Sequence, residues 1–281
     1  MTSTTINKVC ILGASGLVAQ ETIKAFTKHR FALKLVSRNI DAQKYMQIET
    51  CKADVFNDKE LSSAIDGCDA IHITLSQLDE YAALTRIISA ARSNGNIKLI
   101  SFVSGATVCE ENTHKLSFID AKYRCEQALK ESGFDYLILR PTWFMESLSL
   151  MIQDGKANVI GKQPNKLRWI ASKDFANVLV NAYEKPETYN QELSVYGPQA
   201  LTINEALSQY VKVKHPQIKK VNNAPFWLLK TIAWLTKNKQ LKDIIPVFEY
   251  FETTTEVGSP DTTERLVGKP QTRLSEWLAE H

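Results

Sequence analysis

Lys8-Val9-Cys10-Ile11-Leu12-Gly13-Ala14-Ser15-Gly16-Leu17-Val18-Ala19 is a short apolar run that ends in two closely spaced glycines and opens into a helix-patterned segment reaching His29. The run from Lys8 to Gly13 reads as a buried strand, and Ala32 to Ser37 reads as a second, which makes a β-α-β unit. Between the first strand and the helix the backbone must turn tightly. Gly13 and Gly16 remove the Cβ atoms that would obstruct a phosphate, and Ala19 lets the helix approach the sheet. The first helical turn points free N–H groups and the positive end of its dipole at the same place. A glycine-rich turn also serves as a plain strand-to-helix connection. Its position in the first of several βα units makes it a dinucleotide site, with Gly13, Ala14, Ser15, Gly16, Leu17 and Val18 as the cradle.

The alternation continues outward. Lys52 to Val55, Ala70 to Leu75, Ile97 to Val103 and Tyr136 to Leu139 read as further strands, with helices predicted over 41–47, 58–65, 80–93 and 118–131. Apolar strands that alternate with helices imply a parallel sheet covered on both faces, an α/β doubly wound parallel-sheet Rossmann fold. The helix over 118–131 is well marked, with Ser117 in N-cap position and Gly133 past its end. After Pro141 the pattern thins into a loop-rich stretch marked by Gly155, Gly161 and Pro164. A helix from Ser172, a strand over 192–196 and a helix over 203–211 follow, and the chain from Val221 on reads as mostly helical. Residues 1–150 are expected to form the NAD(P)-binding core, with 172–200 contributing, and residues 151–281 a smaller, mostly helical C-terminal lobe that covers one edge of the sheet and shapes the substrate side.

Composition agrees with a folded globular protein: 44% hydrophobic and 23% charged residues among 281 leave no room for a disordered or fibrous chain. A net charge of +3, with basic residues spread along the chain, is too weak for a nucleic-acid footprint. The five cysteines form no CxxC pair and read as reduced thiols of a cytoplasmic protein, and the five histidines show no metal-ligand spacing, so no metal is expected. The polar N-terminus lacks the pattern of an export signal. The longest apolar stretch, Phe226 to Leu235, is about half a membrane span and is broken by Lys230, so no membrane span is expected. With Trp227 and Trp234 and nearby lysines, that stretch reads as a lid or subunit-contact helix rather than an interfacial membrane anchor.

The end of the second strand selects the dinucleotide. An NAD site places an acid there for the ribose 2′-hydroxyl, whereas this chain has Ser37-Arg38. Arg38 can fork onto a 2′-phosphate and Ser37 can add a donor, so NADP(H) is expected in preference to NAD(H). Asp54 and Val55, at the end of the third predicted strand, can meet the adenine; equally, Asp54 can cap the turn that follows. Leu75, Ser76 and Ser104 stand at the carboxyl edge of the sheet, where open α/β folds bind ligands. Pro141, Trp143 and Phe144 follow the sixth strand, and the two aromatics suit a flat apolar ligand or the packing of the lobe.

The loop over 13–19, the Ser37-Arg38 pair, the Ala53-Asp54-Val55 step, Lys122 with Glu126, and the Arg140-Pro141 turn together resemble the NmrA-like family of atypical short-chain dehydrogenases/reductases. Phe144-Met145-Glu146, Asp174-Phe175-Ala176 and Tyr196-Gly197-Pro198 add to the resemblance, which covers nearly the whole chain. That family includes NADPH:quinone oxidoreductase-type enzymes and redox-sensing regulators. The resemblance implies NADP(H) between core and lobe, and a lysine at Lys122 that reaches the nicotinamide ribose and carries the catalytic role. Lys122 can instead form a surface pair with Glu126, one turn on. The Tyr-x-x-x-Lys pair of ordinary short-chain dehydrogenases is missing, since Gln127 stands four residues after Tyr123; the match at Tyr210 to Lys214 lies too far along the chain. His114 reads as a solvated loop residue, and Ser172 with Asp174 as a helix cap. Two functions follow. One is an NADPH-dependent oxidoreductase that passes hydride to a quinone or related electrophilic carbonyl, its partner a small-molecule substrate. The other is a non-catalytic NADP(H) sensor that acts through a regulatory protein.

Overall fold

The computed structural model describes residues 5–75 and 79–280. Through the first half the chain runs β1 (Lys8–Leu12), α1 (Ala19–Lys28), β2 (Ala32–Val36), β3 (Glu49–Cys51), α2 (Asp58–Ile65), β4 (Ala70–Ile73), α3 (Glu80–Asn94), β5 (Leu99–Val103), α4 (Ser117–Lys130) and β6 (Asp135–Pro141). The second half adds β7 (Ile152–Gln153), β8 (Lys156–Ile160), β9 (Leu167–Trp169), α5 (Ser172–Tyr183), β10 (Gln191–Val195), β11 (Gln199–Leu201), α6 (Ile203–Lys214) and β12 (Val221–Ala224). It ends in α7 (Phe226–Thr236), α8 (Lys239–Thr253), α9 (Asp261–Val267) and α10 (Leu274–Glu280).

Seven strands form one parallel sheet in the order β10-β6-β5-β4-β1-β2-β3, the doubly wound arrangement expected from the alternation. Side chains of each strand alternate between two cores. Val9 and Ile11 of β1 face α1 and α5 with Phe26, Phe175 and Leu179, while Cys10 and Leu12 face α2, α3 and α4 with Leu61, Ile87 and Leu129. Burying both faces explains why these strands read as unbroken apolar runs. The order reverses between β1 and β4, which opens a crevice at the carboxyl ends of the strands.

A third core, with Leu148, Trp169, Leu207 and Trp277, holds the smaller lobe. β10 joins the large sheet and α5 packs on its face beside α1, and α9 returns to pack against both of them. The lobe is mostly helical but also contains a three-stranded sheet, β12-β8-β7, and a two-stranded one, β11-β9. Part of the stretch expected to be loop is thus strand. Asp154 and Gly155 both adopt positive φ, 48° and 70°, and turn β7 into β8, so an Asp-Gly hairpin signal was present there.

Other boundaries shift for local reasons. The third strand is Glu49–Cys51, not 52–55, because pairing with Lys34–Val36 of β2 ends at Cys51. The helix expected over 41–47 is a single tight turn over 42–45, held by the Asp41 carboxylate accepting the Gln43 N–H at 3.0 Å. Ser117 is the first residue of α4 and does not cap it; Leu116 occupies the cap position. No helix among the described residues is long and apolar enough to cross a membrane. α7 leaves Trp227 and Trp234 about three-quarters exposed, at 70% and 74%.

Candidate active site

Two adjoining hollows follow the carboxyl edge of the sheet. One, of about 230 Å³, is lined by Gly13, Ser15, Ser37, Arg38, Asp54 and Val55. The other, of about 290 Å³, is lined by Leu17, Val18, Ser104, Lys122, Pro141, Trp143 and Phe144. Gly16, Thr74 and Leu75 belong to both, so the residues expected around a dinucleotide, Ala14 and Ser76 apart, line one continuous cleft.

The turn between β1 and α1 has no room for a side chain at Gly13. Gly13 sits at φ +97°, and a Cβ there would lie 2.5 Å from the Thr74 carbonyl oxygen. The N–H groups of Gly13 and Ala14 both donate to the Val36 carbonyl, which closes the turn onto β2. Ala14 is therefore a structural residue: it is fully buried and lines neither hollow. Among the described residues the N–H groups of Leu17 and Val18 take no partner and remain available at the start of α1. Ser15 and Ser37 link their hydroxyls at 2.7 Å, tying the loop to the end of β2. Arg38 is exposed, has no carboxylate partner among the described residues, and is the cation of the hollow it lines. A bare loop with free N–H groups and an unpaired guanidinium suit a pyrophosphate and a 2′-phosphate.

Asp54 does cap its turn, with Oδ1 accepting the Phe56 N–H at 3.0 Å, and its carboxylate still lines the hollow. Ser76 lies outside the described residues. Ser104 donates its proton to Glu126 Oε1 at 2.5 Å, so toward a ligand its hydroxyl oxygen can only accept. Glu126 also receives Arg140 in a two-pronged contact, Nε to Oε1 at 2.9 Å and Nη2 to Oε2.

Those bonds commit Glu126 and leave Lys122 to another partner. Lys122 is buried, with Nζ donating to the Val103 carbonyl at 2.9 Å and to Glu80 Oε1 at 3.0 Å. The ammonium also lies 5.0 Å from the ring centres of both Phe102 and Phe118. It is thus no surface pair with Glu126. Two of its three N–H donors are held, and the third is left for the cleft it lines. Glu80 is 1% exposed, its Oε2 has no partner among the described residues, and burial raises its carboxyl above the usual range despite Lys122.

Beyond Lys122 the walls become apolar. Trp143 meets Phe251 edge-on at 5.0 Å and Trp169 at 5.8 Å, and Phe144 meets Phe175 at 5.3 Å. Leu17 and Phe118, 50% and 40% exposed, also border this hollow, as do Phe251 and Glu256. Trp143 therefore packs the lobe and Phe144 the core on the α5 face of the sheet, and both wall the cleft.

Sequence reasoning missed Glu80, Phe251 and Glu256, because nothing in local spacing links them to the site. Tyr210 is buried in the lobe core, and His114 is exposed. Ser172 and Asp174 do not cap α5: Ser172 donates to Glu146 at 2.6 Å, and Asp174 accepts from Gln271 and Thr272.

Comparison with known proteins places this cleft in context. A family model described as NAD(P)H-binding matches residues 13–186. The NAD(P)H azoreductase of Xenophilus azovorans is 21% identical over 200 residues, 69% of each chain. An NmrA-like family domain-containing oxidoreductase of a Cladobotryum species is 21% identical over 94% of this chain and 93% of its own. The NADPH-dependent quinone oxidoreductase of Escherichia coli, solved with NADPH, superposes with a TM-score of 0.73 at 20% identity, covering 97% of this chain and 99% of its own.

Proposed function

Because this chain belongs to the NAD(P)H-binding family and has an NmrA-like oxidoreductase and an azoreductase among its relatives, we propose that it is an NADPH-dependent oxidoreductase acting on a quinone or related electrophilic carbonyl. The observation that carries this reading is the continuity of the cleft, from the bare phosphate loop and unpaired Arg38, past Lys122, to walls of Trp143, Phe144 and Phe118.

NADPH, when bound, supplies the hydride. Gly13, Gly16 and the N–H groups of Leu17 and Val18 hold its phosphates, and Arg38 with Ser37 holds the 2′-phosphate. Asp54 and Val55 border the adenine, and Leu75, Ser104 and Pro141 border the nicotinamide end. Lys122 orients the ribose and offers positive charge to an oxygen that gains charge during reduction. The aromatic walls hold a flat acceptor against the cofactor and exclude water.

The test is NADPH absorbance followed over time with a panel of quinones, activated carbonyls and unactivated aldehydes, beside Lys122→Ala. Consumption that falls at least about tenfold in the variant supports the reading. NADPH binding seen by fluorescence with no consumption would overturn it in favour of a sensor that acts through a protein partner.

A further inference from the structure

Reduction of a carbonyl-type acceptor needs a proton as well as a hydride, and Lys122 spends two of its three donors on Glu80 and Val103. A second ionisable group borders the same hollow. Glu256 follows α8 in a segment clipped across the cleft: the Val257 N–H donates to the Ala106 carbonyl at 2.7 Å, and the Tyr196 hydroxyl donates to the Val257 carbonyl. Ala106 in turn donates to the Pro141 carbonyl at 2.9 Å, so this segment rests on the loop that carries Ser104. Glu256 lines the hollow together with Trp143, Leu167 and Phe251. Its Oε1 accepts the Arg168 N–H at 2.9 Å, while Oε2 has no partner among the described residues. One oxygen is fixed by backbone, and the other is uncommitted in a residue that lines the hollow.

We propose that Glu256 is the proton donor of this site, a role that rests on the oxidoreductase reading above. The acceptor gains two electrons and one hydrogen as hydride, and NADPH is oxidised. The O–H bond at Glu256 Oε2 breaks, an O–H bond forms on the acceptor oxygen, and the remaining carboxylate regains a proton from water. The surroundings suit this. Burial among apolar walls raises the carboxyl above its usual range, outweighing the Arg168 N–H bond and charge that lower it. The ionisable groups around it are Arg168 on β9, Tyr196 after β10, and Lys122 on α4 in the same cleft. With a donor in place, the cleft serves acceptors whose oxygen must be protonated as hydride arrives, carbonyls as well as quinones.

Steady-state kinetics of the full chain with NADPH, a benzoquinone and an aromatic aldehyde test this in wild type, Glu256→Gln and Glu256→Asp. The Gln variant keeps an acceptor for Arg168, so its melting temperature and NADPH affinity should match wild type. Its kcat should fall about 100-fold with KM within about twofold. Wild-type kcat should decline as pH rises through the Glu256 titration, and the Gln variant should lose that decline while the Asp variant retains it. Unchanged kcat and pH profile in the Gln variant would overturn the role. A rise in KM alone would also overturn it, and would assign Glu256 to binding of the acceptor. Absence of turnover by wild type with every acceptor would overturn the oxidoreductase reading itself, before any variant is compared.

Discussion

Glu80 and Lys122, 42 residues apart in the chain, form an ion pair inside the protein, with Nζ 3.0 Å from Oε1 and the side chains 1% and 8% exposed. Desolvating both charges is costly, and removing one partner strands the other. Lys122→Met should therefore lose about 3 kcal/mol of stability, and adding Glu80→Gln should restore most of it. Urea unfolding of the single and double variants checks this; equal stability of the two would show that the pair carries no coupling.

Arg38 is an exposed cation lining the smaller hollow, with no carboxylate partner among the described residues. Hydrogen bonds to charged groups contribute about 1.5–3 kcal/mol, so Arg38→Ala should weaken NADPH between about tenfold and a hundredfold. NADH, which lacks the 2′-phosphate, should bind the variant and wild type alike. Fluorescence titration of both cofactors decides the matter, and a parallel loss for the two would remove Arg38 from the 2′-phosphate site.

Gly13 combines φ +97° with a carbonyl oxygen 2.5 Å from where a Cβ would sit. Gly13→Ala should lower stability by about 1–3 kcal/mol and weaken NADPH, because the loop must move off Thr74 and away from its phosphate-binding shape. Thermal unfolding and cofactor titration should both register the change. A variant that melts and binds like wild type would mean that the turn relaxes freely.

His72 is buried on β4, with Nδ1 2.8 Å from the Ser101 hydroxyl and Nε2 without a partner among the described residues. Burial lowers its pKa to about 3. An unfolded histidine titrates near 6.5, so between the two values the unfolded chain binds the extra proton. Its contribution to stability is full above about pH 6.5 and is lost as pH falls toward 3, at roughly 1 kcal/mol per unit. Replacing it with Gln should make the fall in stability between pH 6.5 and 4.5 shallower. Identical slopes for the two proteins would refute this origin.

The parts of the molecule legible in the sequence are those written in short, periodic stretches. β1, the two glycines and α1 are contiguous, and each strand of the parallel sheet is apolar because both faces are buried. Arg38 lies two residues past β2, so its place at the cleft is set by the same few residues. β7 and β8 fall in the stretch read as loop: the Asp154-Gly155 turn signal is brief and the strands are short.

Tertiary structure decided which charges meet and which remain free. Lys122 and Glu126 lie one turn apart on α4, yet Glu126 turns to Arg140 and Ser104 while Lys122 reaches Glu80 on α3. Glu256 lines the cleft because Val257 pairs with Ala106, some 150 residues earlier in the chain. Local periodicity reports the face on which a residue lies. The partner across an interface depends on strand order, register and burial of the whole, since a buried charge settles on whichever distant group offsets its desolvation.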